Sequence, residues 1–342
     1  MSAGQTTIVI AGGGTGGHLM PGLAVARALQ QAGAERVEFV GTARGLEARL
    51  VPEAGFPLHL IRVGGLKTGS GLRKLATMGQ IPAAIFESVR LLRRLQADVV
   101  FGIGGYASGP VLAAAALLRI PIVVLEVNAR TGLANRWAAR WVTTACVNFP
   151  ETARDFPRAH TVVTGIPVRP EFFQPQPPAA PPQVLVTGGS QGAQALNAAV
   201  REMAPRVPFR ILHQTGVRDH EATAAAYAGL GERVRAVPFL DDMASAMTEA
   251  TVVVARSGAS TLGELAAAGK PAILVPLPNA ADQHQLRNAQ AFAAAGAAVL
   301  LQQSQLTPER LATTLEELLA DRPRLAAMAA AARGFAHPDA AR

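Results

Sequence analysis

A glycine-rich stretch near the start of the chain combines residues that bind anions with a residue that can move a proton. The segment AGGGTGGHLMPG, residues 11–22, follows the apolar run TTIVI and contains a G-x-G-x-x-G pattern at Gly12, Gly14 and Gly17. Backbone N–H groups of such a turn, placed at the start of a helix, bind phosphate. His18 adds an imidazole whose unperturbed pKa of about 6.5 suits a general base or a hydrogen bond to phosphate.

The pattern lacks the acid that a nicotinamide or flavin site needs. Such a site holds a ribose with Asp or Glu at the end of the second strand, about 20 residues beyond the glycines. Here the second predicted strand ends as VEFVGT, which puts Gly41 and Thr42 at that position. The dinucleotide fingerprint is therefore incomplete, which disfavours an NAD(P)-dependent oxidoreductase.

Two further turns of the same kind occur along the chain. GIGGYASGP, residues 102–110, and TGGSQGAQALN, residues 187–197, each follow an apolar run and precede a helical segment. A single glycine turn can simply let a strand turn tightly into a helix. Three such turns, each with Ser, Thr or Tyr beside it, favour phosphate binding by backbone N–H groups.

Other polar residues at predicted strand ends each allow two interpretations. Glu264, in RSGASTLGE, can accept bonds from two ribose hydroxyls or bond back to the N–H of Thr261 in a capping box. Arg169 can pair with a diphosphate or form an exposed interdomain salt bridge. The pair Asp241 and Asp242, in FLDDM, fits N-capping of a helix better than metal binding.

These residues lie on a repeated strand and helix alternation. Short β-branched runs such as TTIVIA, DVVFGIG, QVLVTGG and ATVVVARSG each precede a turn and an Ala- or Leu-rich helical segment. The segment QPQPPAAPP, residues 174–182, has five prolines in nine residues and reads as a stiff connector. The sequence therefore predicts an α/β protein of two Rossmann-like, doubly wound domains, with both sets of glycine turns aimed into a cleft.

Composition limits the classes of protein. The 342 residues are 49% hydrophobic and 16% charged, enough for two buried cores, and the single cysteine, Cys146, suits a reducing compartment. No signal peptide or membrane span is expected. The net charge of +8 raises nucleic acid or an anionic membrane as partners, but aromatics at 5% and scattered charges disfavour nucleic acid. The basic, amphipathic stretch at residues 66–97 fits either ordinary helix packing or membrane-surface contact.

Seven segments, in this order and spacing, resemble the MurG family of peptidoglycan glycosyltransferases, in glycosyltransferase family 28. They are GGGTGGHLMPGLAVA, GIGGYASGP, GIPVRPEF, TGGSQGAQALN, FLDDM, RSGASTLGELAAAGKPAILVPLP and ADQHQLRNA. The resemblance implies a GT-B fold with an acceptor and membrane-associating domain at residues 1–164 and a donor domain at residues 165–324. It also implies that a C-terminal helix at about residues 325–342 packs back on the first domain.

The resemblance further implies an activity. An enzyme of this family is an inverting glycosyltransferase that moves N-acetylglucosamine from UDP-GlcNAc to the 4-hydroxyl of MurNAc in undecaprenyl-pyrophosphoryl-MurNAc-pentapeptide (lipid I), giving lipid II for the cell wall. No metal and no other cofactor is expected. The location implied is the cytoplasmic face of the cell membrane, peripherally bound through residues 66–97, with a possible place in a cell-wall synthesis complex.

Site residues follow from the same resemblance. It implies contacts to the transferred sugar from Thr15, Gly16, Gly17 and Asn128, and an acceptor diphosphate facing the loops of His18 and Tyr106. On the donor side it implies Arg169 and Ser190 at the pyrophosphate, the Leu240 backbone at uracil and Gln285 at the sugar hydroxyls. The diphosphate and ribose would be held by Ala259, Ser260, Thr261, Leu262, Gly263 and Glu264.

The catalytic base has two candidates, His18 first and Glu126 second. Glu126 lies in LEVN, where the family usually reads HEQN, so Leu125 replaces a His and Val127 replaces a Gln. That departure weakens any mechanism that needs the missing His but leaves the donor residues unaffected. Other functions stay open at this point: a different GT-B enzyme, such as a UDP-GlcNAc 2-epimerase or a glycolipid transferase, or a non-catalytic sugar-nucleotide-binding protein.

Overall fold

The computed structural model describes residues 6–14, 16–63, 71–174, 181–189, 192–280 and 283–342, with the backbone alone for residues 71–80. The chain divides into two compact units. The first consists of residues 1–167 together with 339–342, and the second of residues 168–338.

In the described part of the first unit, seven strands form one parallel sheet in the order β3-β2-β1-β4-β5-β6-β7. The strands β1 to β7 are Thr7–Gly12, Arg36–Gly41, Leu58–Leu60, Val99–Gly104, Ile122–Glu126, Thr144–Val147 and His160–Val163. The helices α1 to α5 are Gly16–Gln31, Glu47–Glu53, Gly71–Leu95, Ser108–Leu118 and Leu133–Ala138.

Central strands of this sheet are apolar on both faces because helices cover them. Ile10 of β1 lies in register with Phe39 of β2 and Phe101 of β4, and all three side chains are buried. Such continuous apolar runs are typical of parallel sheets buried between helices. Val111 and Leu112 of α4 are fully buried in a core cluster with Val9, Val40 and Val100.

In the described part of the second unit, six strands form a parallel sheet in the order β10-β9-β8-β11-β12-β13. The strands β8 to β13 are Gln183–Thr187, Arg210–Gln214, Val234–Val237, Val252–Ala255, Ala272–Leu274 and Ala298–Leu300. The helices α6 to α12 are Gln194–Met203, Val217–Tyr227, Met243–Glu249, Ala259–Ala268, His284–Ala294, Pro308–Ala320 and Arg322–Arg333.

Each sheet has one switch point, where the strand order reverses. It lies between β1 and β4 in the first unit and between β8 and β11 in the second. Loops after these strands leave the sheet in opposite directions, so their backbone groups face a shared crevice at the carboxyl ends. The predicted glycine turns follow β1, β4 and β8, and RSGAST follows β11.

The predicted fold class is confirmed. Each predicted strand forms, including the further runs PIVVLEV, FRILHQTG, VRAVPFLDD and KPAILVPLP, which are β5, β9, β10 and β12. Sequence reasoning did not find β3, β6, β7 and β13. Two of these, β3 and β13, have only three residues each, and β7 is largely exposed with the pattern HTVV. Segments this short carry too few residues to show a period, so pairing with a neighbouring strand decides them.

The C-terminal helix α12 contacts α9 and α11 of the second unit. Met328 and Ala332 are its buried residues, and beyond its end Phe335 stacks on Phe292 of α10 with ring centroids 4.4 Å apart. Apolar side chains therefore hold residues 322–335 in the second unit. The resemblance placed a helix at about residues 325–342 against the first domain, and that packing stays a prediction. The last four residues, 339–342, group with the first unit. Among the helices described, none has the length and apolarity to cross a membrane.

Candidate functional site

The first unit brings three predicted site loops side by side at the ends of β1, β4 and β5. His18 lies in the first turn of α1, which begins at Gly16 and includes Gly17. Tyr106, in the loop between β4 and α4, is 47% exposed and available to a ligand. Asn128, two residues beyond β5, is buried. Thr15 lies outside the described residues.

The loops after β1 and β4 interlock through their backbones. Gly13 N donates to the carbonyl of Gly104 at 3.2 Å. The imidazole of His18 packs on Gly104, since a Cβ placed there would lie 2.8 Å from His18 Nδ1. Only a residue without a side chain lets the ring come this close, so the position of His18 depends on both loops.

Glu126 is enclosed by donors from the loop after β5 and from helix α5. Its Oε1 accepts from Asn128 N at 3.0 Å and Asn128 Nδ2 at 3.2 Å, and its Oε2 accepts from Gly132 N at 2.8 Å and Asn135 Nδ2 at 3.1 Å. Burial raises the pKa of the carboxyl, while the N–H donors of Gly132 and Asn128 oppose that rise. With four donors and 1% exposure, the geometry favours anchoring of this loop over proton transfer from a substrate.

The departure from HEQN fits this burial. Leu125 and Val127 are 3% and 2% exposed, so apolar side chains occupy buried positions on either side of Glu126. Because both side chains are apolar, the replacement of the family's His and Gln leaves no side-chain polar atom buried without a partner at these two positions.

In the second unit, Arg169 lies near two acidic residues. It precedes a short 3-10 turn, Pro170–Phe173, with its guanidinium carbon 5.2 Å from the Phe172 ring centroid. Its positive charge lowers the pKa of Asp242, although hydrogen bonds from Ser245 are the larger cause. Desolvation raises the pKa of Glu264 to about 7, and Arg169 opposes that rise.

Helix α9 carries the predicted segment from Ala259 to Glu264 in its first turns. Its N-cap is Gly258, in an extended conformation, and no side chain caps the helix. Thr261 therefore lies inside the helix, which excludes the capping box between Thr261 and Glu264. The first N–H groups of α9, including those of Ala259, Ser260 and Thr261, point toward the carboxyl end of the sheet, where an anion is stabilised. Leu262 and Gly263 are buried.

Gln285 lies in the first turn of α10 and Leu240 in the loop after β10, both in the second unit. Gln285 Oε1 accepts from Leu277 N at 3.0 Å, and its backbone carbonyl accepts from Ser257 Oγ at 2.8 Å, so the start of α10 is tied to the loops after β12 and β11. Leu240 follows β10 and is partly exposed, next to Phe239, which is 53% exposed.

Asp242 caps α8 by accepting from Ser245 N at 3.0 Å, as the sequence predicted. Within the described residues no cluster of three or more His, Cys, Asp or Glu side chains could hold a metal ion.

A buried polar network supports the glycine turn after β8. His213 on β9 bonds to Tyr227 Oη at 2.9 Å and to Asn197 Oδ1 at 3.0 Å. Asn197 Nδ2 donates to the carbonyl of Thr215 at 2.8 Å. Gln214 Nε2 donates to the carbonyl of Gly189 at 3.1 Å, which fixes one side of the turn. Ser190 lies outside the described residues.

Four buried polar residues in or beside the candidate site loops of the two units were not predicted: Glu47, Asn135, Gln214 and Arg256. Arg256 donates to the carbonyls of Val275 and Pro276 and to Gln303 Oε1, which joins the loop after β11 to the loop after β12. Only their location could have marked these residues as candidates in the sequence. Gln214 ends a strand, Arg256 directly follows one, and Asn135 lies within LEVNARTGLAN. Their partners, however, are distant in sequence, and pairing could not be read from spacing.

The chain is similar to known proteins over almost its whole length. Residues 8–147 match the glycosyltransferase family 28 N-terminal domain, and residues 183–342 match the glycosyltransferase family 28 C-terminal domain. A protein of Syntrophotalea carbinolica is 47% identical over 96% of this chain and 94% of its own length. A protein of Solibacter usitatus is 47% identical over 98% of this chain and 93% of its own length. Both are named UDP-N-acetylglucosamine–N-acetylmuramyl-(pentapeptide) pyrophosphoryl-undecaprenol N-acetylglucosamine transferase.

Among solved structures, Acinetobacter baumannii MurG has a TM-score of 0.80 and 37% identity. The similarity covers 98% of this chain and 97% of that one. The resemblance read from seven sequence segments is thereby confirmed.

The buried imidazole of His213 makes the second unit sensitive to acid. Burial lowers the pKa of His213 from 6.5 to about 4, with a smaller contribution from Arg201 that Asp219 opposes. The unfolded chain takes up this proton below pH 6.5 and the folded unit only below about 4, so stability is lost as the pH falls through that window. We expect a loss of about 3 kcal/mol between pH 7 and pH 4 from this group.

Urea titrations at several pH values, monitored by hydrogen exchange of peptides from the second unit, measure this loss of stability. His213→Gln should be less stable at pH 7 and should lose less stability on acidification than the wild type. His337→Gln, in the same unit but outside the network, should keep the wild-type pH dependence. Parallel curves for the wild type and His213→Gln would contradict the assignment.

Proposed function

Because this chain belongs to glycosyltransferase family 28, we propose that it is an inverting N-acetylglucosaminyltransferase. It transfers N-acetylglucosamine from UDP-GlcNAc to the 4-hydroxyl of MurNAc in lipid I, and the products are lipid II and UDP. The observation that carries the proposal is the match of both halves of the chain to transferases with this specificity. Within each half, predicted site loops lie at the switch point of a parallel sheet, which is where such sheets bind ligands.

The second unit supplies the donor half of the reaction. Its Arg169 and the N-terminus of α9 bring positive charge and N–H donors for the pyrophosphate that leaves with uridine. Glu264 accepts hydrogen bonds from the ribose hydroxyls, the Leu240 backbone meets uracil, and Gln285 holds sugar hydroxyls. Ser190, in the turn after β8, contacts the pyrophosphate. Stabilisation of the developing diphosphate charge makes UDP a better leaving group.

The first unit supplies the acceptor half, together with the groups that approach the transferred sugar. The 4-hydroxyl oxygen of MurNAc attacks the anomeric carbon, the bond to UDP breaks on the opposite face, and His18 takes the hydroxyl proton. Tyr106 and the loops beside it face the acceptor diphosphate. Thr15, Gly16, Gly17 and Asn128 approach the transferred sugar. Glu126 holds Asn128 and Gly132 in place and acts as a positioning residue.

Transfer from UDP-GlcNAc to a soluble lipid I analogue tests this function. A base placed on the attacking hydroxyl contributes about 10² to 10⁴ in rate, so His18→Ala should lower kcat by that range. Donor affinity measured by calorimetry should stay within about twofold of the wild type, because His18 belongs to the first unit. If His18→Ala kept the wild-type kcat, His18 would not be the catalytic base. Formation of UDP-ManNAc, or donor binding without transfer, would replace the function with an epimerase or a binding protein.

The raised pKa of Glu264 gives donor binding a pH dependence. A carboxylate accepts both ribose hydroxyls, whereas the protonated acid must lose its proton first. With a pKa of about 7 in the free protein, binding of UDP-GlcNAc should weaken about tenfold from pH 8 to pH 6. UDP-GlcNAc is the suitable ligand because its diphosphate diester does not titrate in this range.

Calorimetry across pH 6 to 8 measures the effect. Glu264→Gln should bind more weakly at pH 8 and show a flat profile, because the amide does not titrate. An unchanged slope in Glu264→Gln would assign the pH dependence to another group.

We also propose that the first unit binds the membrane surface that carries the acceptor lipid, on the cytoplasmic side. A groove of about 860 Å³ lies between the edge strand β3 and helix α3. Its lining includes Leu60, Phe86, Arg90 and Arg94. Phe86 is 62% exposed, and the Arg90 guanidinium carbon lies 5.7 Å from its ring centroid. An exposed aromatic ring with arginines beside it suits an interface of acyl chains and anionic headgroups. Membership in a cell-wall synthesis complex stays a prediction.

Sedimentation with phosphatidylglycerol vesicles tests the membrane surface. Each arginine near an anionic surface contributes about 1 kcal/mol, so the double variant Arg90→Gln with Arg94→Gln should bind about 30-fold more weakly. The matched control, Arg322→Gln with Arg324→Gln, removes the same charge from an exposed part of the second unit. Equal losses in both double variants would show that net charge, and not this surface, drives binding.

A further inference from the structure

A carboxylate that the mechanism does not use lies beneath the first glycine turn. Glu47, the first residue of α2, is 1% exposed. Its Oε2 accepts from Gly14 N at 2.7 Å. Its Oε1 accepts from Thr42 N at 2.9 Å and from Thr42 Oγ1 at 2.8 Å. A buried carboxylate with three donors and no cation among these contacts is an internal anion that the fold has placed at the end of β2.

The surrounding backbone is shaped to this carboxylate. A Cβ placed on Gly13, Gly41 or Gly45 would collide with the side chain of Glu47. Three glycines from three segments therefore leave the space that the carboxylate fills. The contact fixes the conformation of Gly13, whose φ of 138° is a region that side chains rarely adopt.

The carboxylate of Glu47 is the acceptor for one N–H group of the G-x-G-x-x-G turn, that of Gly14. In a dinucleotide site, such N–H groups face the ligand pyrophosphate. Here the N–H of Gly14 donates to Glu47, and a second negative charge at that N–H would be repelled. The N–H groups of Gly13 and Gly14 are thus bonded within the fold, and the acceptor diphosphate proposed above would meet other groups of these loops.

Three contacts link Glu47 to His18. Glu47 holds Gly14, the neighbouring Gly13 N donates to Gly104 O, and Gly104 carries the imidazole of His18. We propose that Glu47 is a positioning residue that fixes the turn after β1 and thereby the place of His18. The inference rests on the proposed function, since it concerns the residue proposed there as the base.

One substitution separates the link to Gly14 from the rest of the contacts. In Glu47→Gln, a carboxamide oxygen directed at Thr42 keeps two of the three hydrogen bonds, and its NH₂ then faces Gly14 N–H, donor against donor. Thr42→Val removes the hydroxyl bond to Glu47 and leaves the link to Gly14 intact. Glu38→Gln alters another buried carboxylate of the first unit, bound by Arg36 and His59.

Hydrogen exchange of Gly13 and Gly14, kcat, donor KM and melting temperature are measured for each variant. Glu47→Gln should raise exchange of both amides and lower kcat about 10- to 100-fold, with donor KM within twofold. Thr42→Val and Glu38→Gln should keep kcat within about threefold at a similar loss of melting temperature. If Glu47→Gln does not fold, Glu47→Asp, one methylene shorter, is expected to show the same pattern.

The outcomes separate this inference from the proposed function. Protected Gly14 with normal kcat in Glu47→Gln would overturn the inference, as would an equal fall of kcat in Glu38→Gln and Thr42→Val at matched stability. If the wild type transfers no sugar, the proposed function fails. The exchange of Gly13 and Gly14 then decides by itself whether Glu47 holds the turn.

Discussion

Backbone N–H groups at the carboxyl ends of parallel strands need partners, and both units are organised around how those partners are supplied. A tight turn from strand to helix leaves N–H groups without intrahelical acceptors. In the first unit, the turn after β1 is satisfied from inside, by the carboxylate of Glu47 and the carbonyl of Gly104. In the second unit, helix α9 begins at Ala259, and its N-cap Gly258 supplies no side-chain cap. In the proposed function, its first N–H groups hold the diphosphate of the donor.

The charged groups near the glycine turns also differ between the two units. An internal anion at the first turn makes that loop a fixed platform for His18 and a poor place for a nucleotide phosphate. The second unit places Arg169 beside Glu264, whose burial raises its pKa to about 7. In the proposed function, Arg169 is the cation for the diphosphate and Glu264 is the carboxyl for the ribose. The two sheets share one strand order over six strands, and the first has a seventh strand at its edge. In the proposed function they serve different halves of one transfer reaction.

Buried side chains that touch no proposed substrate hold these loops. Glu126 binds two backbone N–H groups and two asparagine side chains. His213 with Asn197 joins β9 to α6, the helix after the third glycine turn. Breaking such a bond leaves a polar group buried without a partner, which costs about 1–3 kcal/mol. This penalty keeps each network in one arrangement and gives the loops a defined shape before any ligand arrives.

The sequence alone determined the α/β class, the repeated half, the glycine turns and the family, because β-branched runs, turn glycines and ordered motifs are local signals. Short strands such as β3 and β13 escaped it, as did the partners of Glu47, Gln214 and Arg256. The tertiary structure decided that Thr261 and Glu264 form no capping box, that α12 joins the second unit, and that an acid reaches the end of β2 from the helix that follows. Hydrogen bonds between residues far apart in sequence depend on which strand ends the fold brings together, and no spacing along the chain records that.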